Sequence, residues 1–189
     1  MRLAWGFLLA CLAAGNAVAQ VNPFSALGKV VTTSMDARTK AEVTADTEIA
    51  AGASKRLLDD KQAEWKGVTV LVFAQHVVLA GAVRSAEVKK RVEEVVRADK
   101  RIRSLANELL VGDVGSLARD TALEAEINAS LTAAKGISSV NMRWCATGGH
   151  VVLMGVAHTQ QEADLAVQKA RAVKGVRGVK SRLRVVAKK

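Results

Sequence analysis

A six-residue phrase occurs twice in this chain and narrows what the chain can fold into. His76-Val77-Val78-Leu79-Ala80-Gly81 returns as His150-Val151-Val152-Leu153-Met154-Gly155, an offset of 74 residues. The same offset maps Asp46-Thr47 onto Asp120-Thr121, Leu57 onto Leu131, Arg97-Ala98 onto Arg171-Ala172 and Leu109 onto Leu183, with no gap. The chain is therefore two copies of one module, at residues 41–112 and 115–187. Each copy is large enough for a small two-layer core and marginal alone. The short joint Gly112-Asp113-Val114-Gly115 ties them closely.

Periodicity changes in a fixed order within each copy. Ile49, Ala53 and Leu57, matched by Leu123, Ile127 and Leu131, fall at i, i+4, i+8, the stripe of an amphipathic helix. Asp46 or Thr47, and Asp120 or Thr121, are suitable N-caps for it. Val68, Val70 and Val72, matched by Met142, Trp144 and Ala146, alternate as one strand face. Gly148-Gly149 marks the turn in copy two, and the repeated phrase is the second strand. A second helix is predicted from Val88, Val92 and Val95, and from Ala163, Ala166 and Ala170. Leu105, Asn107, Leu109 and Val111, matched by Val179, Ser181, Leu183 and Val185, close the copy as a third strand. The expected fold class is α+β, two tandem α-β-β-α-β modules. Each is a small three-stranded, mixed sheet covered on one face by two helices. Gly81 and Gly155 stand inside a strand, where glycine points to a bulge or a close backbone approach, a structural role.

The N-terminus reads as an export signal over residues 1–19. Arg2 precedes an apolar run from Leu3 to Leu12, too short to span a bilayer, and Ala17-Val18-Ala19 is an A-x-A cleavage site. The alternative is a lipobox, Leu8-Leu9-Ala10-Cys11, in which Cys11 would be acylated. Residues 20–40, with the lone proline Pro23, read as a tether. Cleavage after Ala19 leaves one cysteine, Cys145, which excludes an internal disulfide framework. It is either a small strand residue or, if exposed, the site of an intermolecular disulfide.

The order α-β-β-α-β, the phrase Val-x-Leu-x-Gly in both copies, and the closing Gly175-Val176-Arg177-Gly178-Val179-Lys180-Ser181-Arg182-Leu183 resemble the BON domain family. Copy one keeps that family's asparagine at Asn107. The whole is similar to two-BON envelope proteins of Gram-negative bacteria, periplasmic or outer-membrane-associated. That resemblance implies a non-enzymatic, phospholipid-interacting role in outer-membrane maintenance, with a chaperone-like role as the alternative. It does not transfer one contact. Lipid-binding members carry an aromatic residue near the start of the second copy's first helix, and here that position is Ala122, followed by Glu124 and Glu126.

Charge supplies another surface. The net charge is +10, and from Lys169 to Lys189 there are nine basic residues and no acidic one. Residues 41–112, by contrast, hold 12 basic and 11 acidic residues. The candidate lipid-binding residues are Lys169, Arg171, Lys174, Arg177, Lys180, Arg182 and Arg184. The last three alternate with Val179, Ser181, Leu183 and Val185, so they point away from the helices, to a face without a packing partner. Near a membrane surface of anionic phospholipid or lipopolysaccharide such residues contribute roughly 1 kcal/mol each; the bland alternative is a solvated face that aids solubility. Trp65, Leu71 and Phe73 form a candidate patch for a protein partner, such as an outer-membrane client or assembly machinery, or for packing against copy two. Nucleic acid is not expected: Gly175-Val176-Arg177-Gly178 is literally a GxxG but joins a helix to a strand. No catalytic or metal-ligand spacing is present, so neither an enzyme nor a cofactor is expected.

Overall fold

The computed structural model describes residues 36–61, 66–112 and 116–187. The export signal, Cys11, the tether up to residue 35, Trp65 and the centre of the joint lie outside the described residues. Module one runs α1 (Lys40–Asp59), β1 (Val68–Phe73), β2 (His76–Val83), α2 (Ala86–Arg97), β3 (Ser104–Asn107) and β4 (Leu110–Val111). Module two runs α3 (Leu117–Ala133), a short 3-10 turn (Ser139–Asn141), β5 (Met142–Thr147), β6 (His150–Ala157), α4 (Gln160–Arg171) and β7 (Gly178–Val185). In each module the first two strands form an antiparallel hairpin and the last element joins parallel to the second strand. Both sheets are therefore mixed, as the repeat predicts.

The apolar stripes drive the helices onto the sheets. Ile49, Ala53 and Leu57 are buried with Val70, Val72, Val77 and Leu79, and Leu123, Ile127 and Leu131 with Met142, Val151 and Leu153. Helix α2 buries Val88, Val92 and Val96, so its stripe runs one residue past the expected Val95, which is half-buried. Helix α1 also starts earlier than the N-caps expected at Asp46 or Thr47. Thr39 caps it in a reciprocal box with Glu42, and Val43 extends the buried stripe by a turn. Ser116 occupies the N-cap position of α3. The Asp-Thr pair thus lies inside both helices.

Its aspartates hold the hairpins instead. Asp46 accepts from the backbone N–H of Ala74 and Gln75, at 2.8 and 2.6 Å, and the equivalent Asp120 accepts from Gly148 at 3.1 Å. The two turn residues have positive φ in both modules: Ala74 and Gln75 in one, Gly148 and Gly149 in the other. A two-residue hairpin turn of this hand follows the strand twist, and glycine reaches it without strain. Ala74 and Gln75 do not, so the doubled bond from Asp46 holds them there.

Gly81 and Gly155 are close-approach positions. Both have positive φ, and a Cβ on Gly81 would collide with the Gly67 carbonyl, one on Gly155 with that of Asn141. Gly67 and Asn141 are themselves equivalent in the repeat, so both copies bring the strand entry onto the same glycine.

The third strand of module one is not continuous. It breaks at Glu108 and Leu109, where the Leu109 side chain turns into the core with 1% exposure. Asn107 fixes the break. Its amide donates to the Lys89 carbonyl and to Glu93, both at 3.0 Å, and its carbonyl oxygen accepts from Leu109 N–H at 3.3 Å. Module two has Ser181 there, and β7 runs unbroken.

The helix-free faces of the two sheets pack against each other. Leu71, Phe73, Val78 and Ala80 from module one meet Cys145, Val152, Met154 and Val156 from module two in a third core. Leu71 and Cys145, Val78 and Val152, and Ala80 and Met154 are repeat equivalents, so like faces meet across a pseudo-twofold axis. The expectation that these faces lack a packing partner is thereby corrected. Alternation on a strand leaves an apolar face on each sheet, and burying a large apolar side chain contributes about 1.5–3 kcal/mol. Leu71 and Phe73, at 0% and 1% exposure, belong to this seam and are not open to another protein. Cys145 is buried in it too, and burial pushes its thiol up to about 12, which removes it as a disulfide partner in the folded protein.

Candidate anion-binding face of the second module

The seven basic residues expected to act together divide between two sides of module two. Lys180, Arg182 and Arg184 do project from β7 away from the helices, but that is the side on which module one packs. Arg182 is paired with Glu108 of module one, its own repeat equivalent. Arg184 is half-buried, with burial first and the neighbouring Arg103 second lowering its pKa. Lys180 is exposed. A flat three-residue basic strand face is therefore not available.

Lys169 and Arg171 are exposed in the last turn of α4, and Lys174 and Arg177 come next, in the loop to β7. Lys174 and Arg177 line a cleft of about 490 Å³ with Arg119, Ala122, Gly148 and Gly149. The first two turns of α3 form one wall, the hairpin turn a second and the α4–β7 loop a third. Three features make the opening. Ala122 offers a methyl group, and the Gly148-Gly149 turn adds no side chain. Gly175, at positive φ, has Leu123 at 3.9 Å as its nearest neighbour for an added Cβ. In module one the residue equivalent to Gly175 is Arg101, bound to Asp99 at 2.8 Å and Glu48 at 2.6 Å.

The charge state of the two modules differs in the same way. In module one Arg56, Arg91, Arg97, Arg101 and Arg103 each face a carboxylate. Arg119, Lys169, Arg171, Lys174 and Arg177 make no ion pair among the described residues. Two acidic residues also line the cleft. Asp120 is turned to the Gly148 N–H, and Glu126 is exposed on the rim. Glu124, on the buried side of α3, accepts from Ala146 N–H at 2.8 Å, and burial raises its pKa. The acidic character of α3 that disfavours membrane contact is thus partly turned inward.

Arg119 was not among the expected residues. Its signal was available in the repeat: the equivalent position is Ala45, so a charge appears there in copy two alone. What could not be read is that the first helix and the α4–β7 loop border one cleft.

A segment preceding the first module also joins the seam. Arg38 pairs with Asp36 at 2.7 Å and Asp46 at 3.0 Å, and its guanidinium lies 4.4 Å from the Phe73 ring centre. Arg143 of module two lies 5.6 Å from the same ring, and Ala37 N–H donates to Asn141 at 2.8 Å. Burial, with Arg38 nearby, lowers the Arg143 pKa to about 10, so it remains charged at neutral pH. Residues 36–38, within the span expected to be a tether, thus form a clasp on both modules.

Known proteins similar to this chain include two relatives in sequence and one in structure. The chain is 33% identical over 125 residues to an uncharacterized protein in the gshII 5' region of Anaplasma centrale, covering 64% of this chain and 83% of that protein. It is 30% identical over 144 residues to osmotically-inducible protein Y of Escherichia coli K12, covering 74% of this chain and 72% of that one. Among solved structures it is similar to CdsD, a structural protein of the type III secretion system of Chlamydia trachomatis, with 15% identity and a TM-score of 0.33. That similarity covers 76% of this chain and 65% of the CdsD chain, so the present chain spans less than two thirds of it. The family model for the BON domain matches residues 45–113 and again 119–187. Each match encloses the turn-holding aspartate and the strand glycine of its module, and the chain belongs to the BON domain family.

Proposed function

We propose that this protein is a non-enzymatic component of the bacterial envelope that binds anionic phospholipid surfaces through module two and supports stress tolerance. The observation that carries this reading is the cleft's three exposed cations Arg119, Lys174 and Arg177, which make no ion pair among the described residues, with Lys169 and Arg171 also exposed and unpaired on the last turn of α4. Each such charge near an anionic membrane contributes roughly 1 kcal/mol. Such attraction is screened by salt. The name of the osmotically-inducible relative supports the stress role. The export signal read at residues 1–19 supports the compartment, with the periplasm as the reading and outer-membrane anchoring through Cys11 as its alternative. No helix among the described residues is long and apolar enough to cross a membrane.

The test is co-sedimentation of the protein lacking residues 1–19 with phosphatidylglycerol vesicles and with phosphatidylcholine vesicles, at low and moderate salt. Binding to the anionic vesicles alone, weakened by salt, is the expected result. Failure to sediment with either would overturn the lipid reading and favour a chaperone or adaptor that holds outer-membrane client proteins.

A further inference from the structure

The pseudo-twofold seam has two equivalent edges, and they are not filled alike. At the first, His76 Nδ1 lies 2.6 Å from the Ser104 hydroxyl. Burial, and then the adjacent Arg184, lowers the pKa of that imidazole, and the large Phe73 completes the packing. At the second, every one of these neighbours has a smaller counterpart by the 74-residue offset: Gly178 for Ser104, Leu110 for Arg184 and Thr147 for Phe73. A cleft of about 300 Å³ opens there between the modules. Leu110, Thr147 and Val152 form its apolar part, and His150, Lys180 and Glu108 its polar part.

The polar groups are unequally engaged. Glu108 is neutralised by Arg182. The His150 ring has lost the hydroxyl that its twin possesses and makes no hydrogen bond among the described residues, and neither does the Lys180 ammonium. The cleft thus combines an apolar floor with two uncommitted nitrogen donors and a net positive rim. Its volume is at the small end of ligand sites.

We infer that this seam cleft binds a short single-chain acyl anion, its chain against Leu110, Thr147 and Val152 and its carboxylate between His150 and Lys180. A chain of about eight carbons matches the volume. The site has its own lining but adjoins the membrane-binding face: Thr147, His150 and Gly178 here are chain neighbours of Gly148, Gly149 and Arg177 there.

The experiment is titration of the full protein with octanoate, followed by the His150 ring resonances in NMR spectra. Acetate, which has the carboxylate without the chain, and octyl glucoside, which has the chain on an uncharged sugar head, are the controls. Octanoate is expected to shift His150 and to bind at least about tenfold more tightly than either control, a difference of roughly 1.4 kcal/mol. Lys180→Gln, an exposed change that leaves the core untouched, should weaken octanoate about tenfold. Thr147→Phe and Gly178→Ser, which install the other edge's residues, should abolish the His150 shift. The inference is overturned if octanoate leaves His150 unmoved, if acetate matches it, or if binding survives both Lys180→Gln and Gly178→Ser. Vesicle sedimentation of Gly178→Ser is expected to equal wild type, so failure here is distinguishable from failure of the membrane reading.

Discussion

At the scale of single residues, the repeat separates what a position must do from what it happens to contain. Asp46 and Asp120 are fixed by the hairpin turns they hold, and module one depends on this more because Ala74 and Gln75 adopt positive φ. A non-glycine residue there costs roughly 1–2 kcal/mol. Ala74→Gly should therefore stabilise the protein by about 1 kcal/mol in urea unfolding. Asp46→Ala, which leaves two turn N–H groups without their acceptor and Arg38 with Asp36 alone, should cost about 3 kcal/mol or more. Asp99 gives a pH dependence. Hydrogen bonds from Arg101, and then from Arg56, outweigh its burial and hold its carboxyl well below the usual carboxylate range. A depressed folded-state pKa contributes stability above the unfolded value of about 4 and loses it as pH falls below that. Asp99→Asn should flatten the stability profile between about pH 4 and pH 2, and an unchanged slope would contradict the assignment.

At the scale of elements, the sequence carried the order, the mixed sheets and the buried stripes, because 3.6 and 2 residue periods record which face is inside. It did not carry the ends. Thr39 and Glu42 form a capping box, but Thr39 falls just outside the repeated span, so the matched Asp46-Thr47 and Asp120-Thr121 pairs point to a later start. The break in module one's third strand was hidden for a related reason. Leu109 and Leu183 match in sequence, yet Leu109 is inserted into the core at an interruption, while Leu183 sits in a continuous strand. The difference lies at Asn107 against Ser181, a side chain that can reach α2 and one that cannot. Asn107→Ala should lose about 1–2 kcal/mol through its unmatched partners. Ser181→Ala should fall within about 0.5 kcal/mol of wild type in the same unfolding assay, as surface substitutions usually do.

At the scale of the whole molecule, the sequence showed two modules and an apolar helix-free face on each, but it could not show that these faces meet. Pairing depends on orientation, which a four-residue joint permits without dictating. The consequence for the candidate site is large. Once the faces meet, Lys180, Arg182 and Arg184 border the seam, Leu71 and Phe73 lie inside it, and Arg119, Lys174 and Arg177 remain together on the helix side of the hairpin turn. The apolar seam outweighs the Arg182–Glu108 pair, since exposed ion pairs contribute about 0–1 kcal/mol. Phe73→Ser should therefore loosen the modules, seen as a larger radius in small-angle scattering and a loss of about 3 kcal/mol or more. Glu108→Gln should leave the radius unchanged. The most direct test of the account compares two triple variants on phosphatidylglycerol vesicles at low salt. Arg119, Lys174 and Arg177 changed together to Ser should weaken binding by roughly 100-fold, at about 1 kcal/mol per charge. Lys180, Arg182 and Arg184 changed together to Ser should weaken it far less. The reverse ranking would place the membrane contact on the seam side and contradict the account.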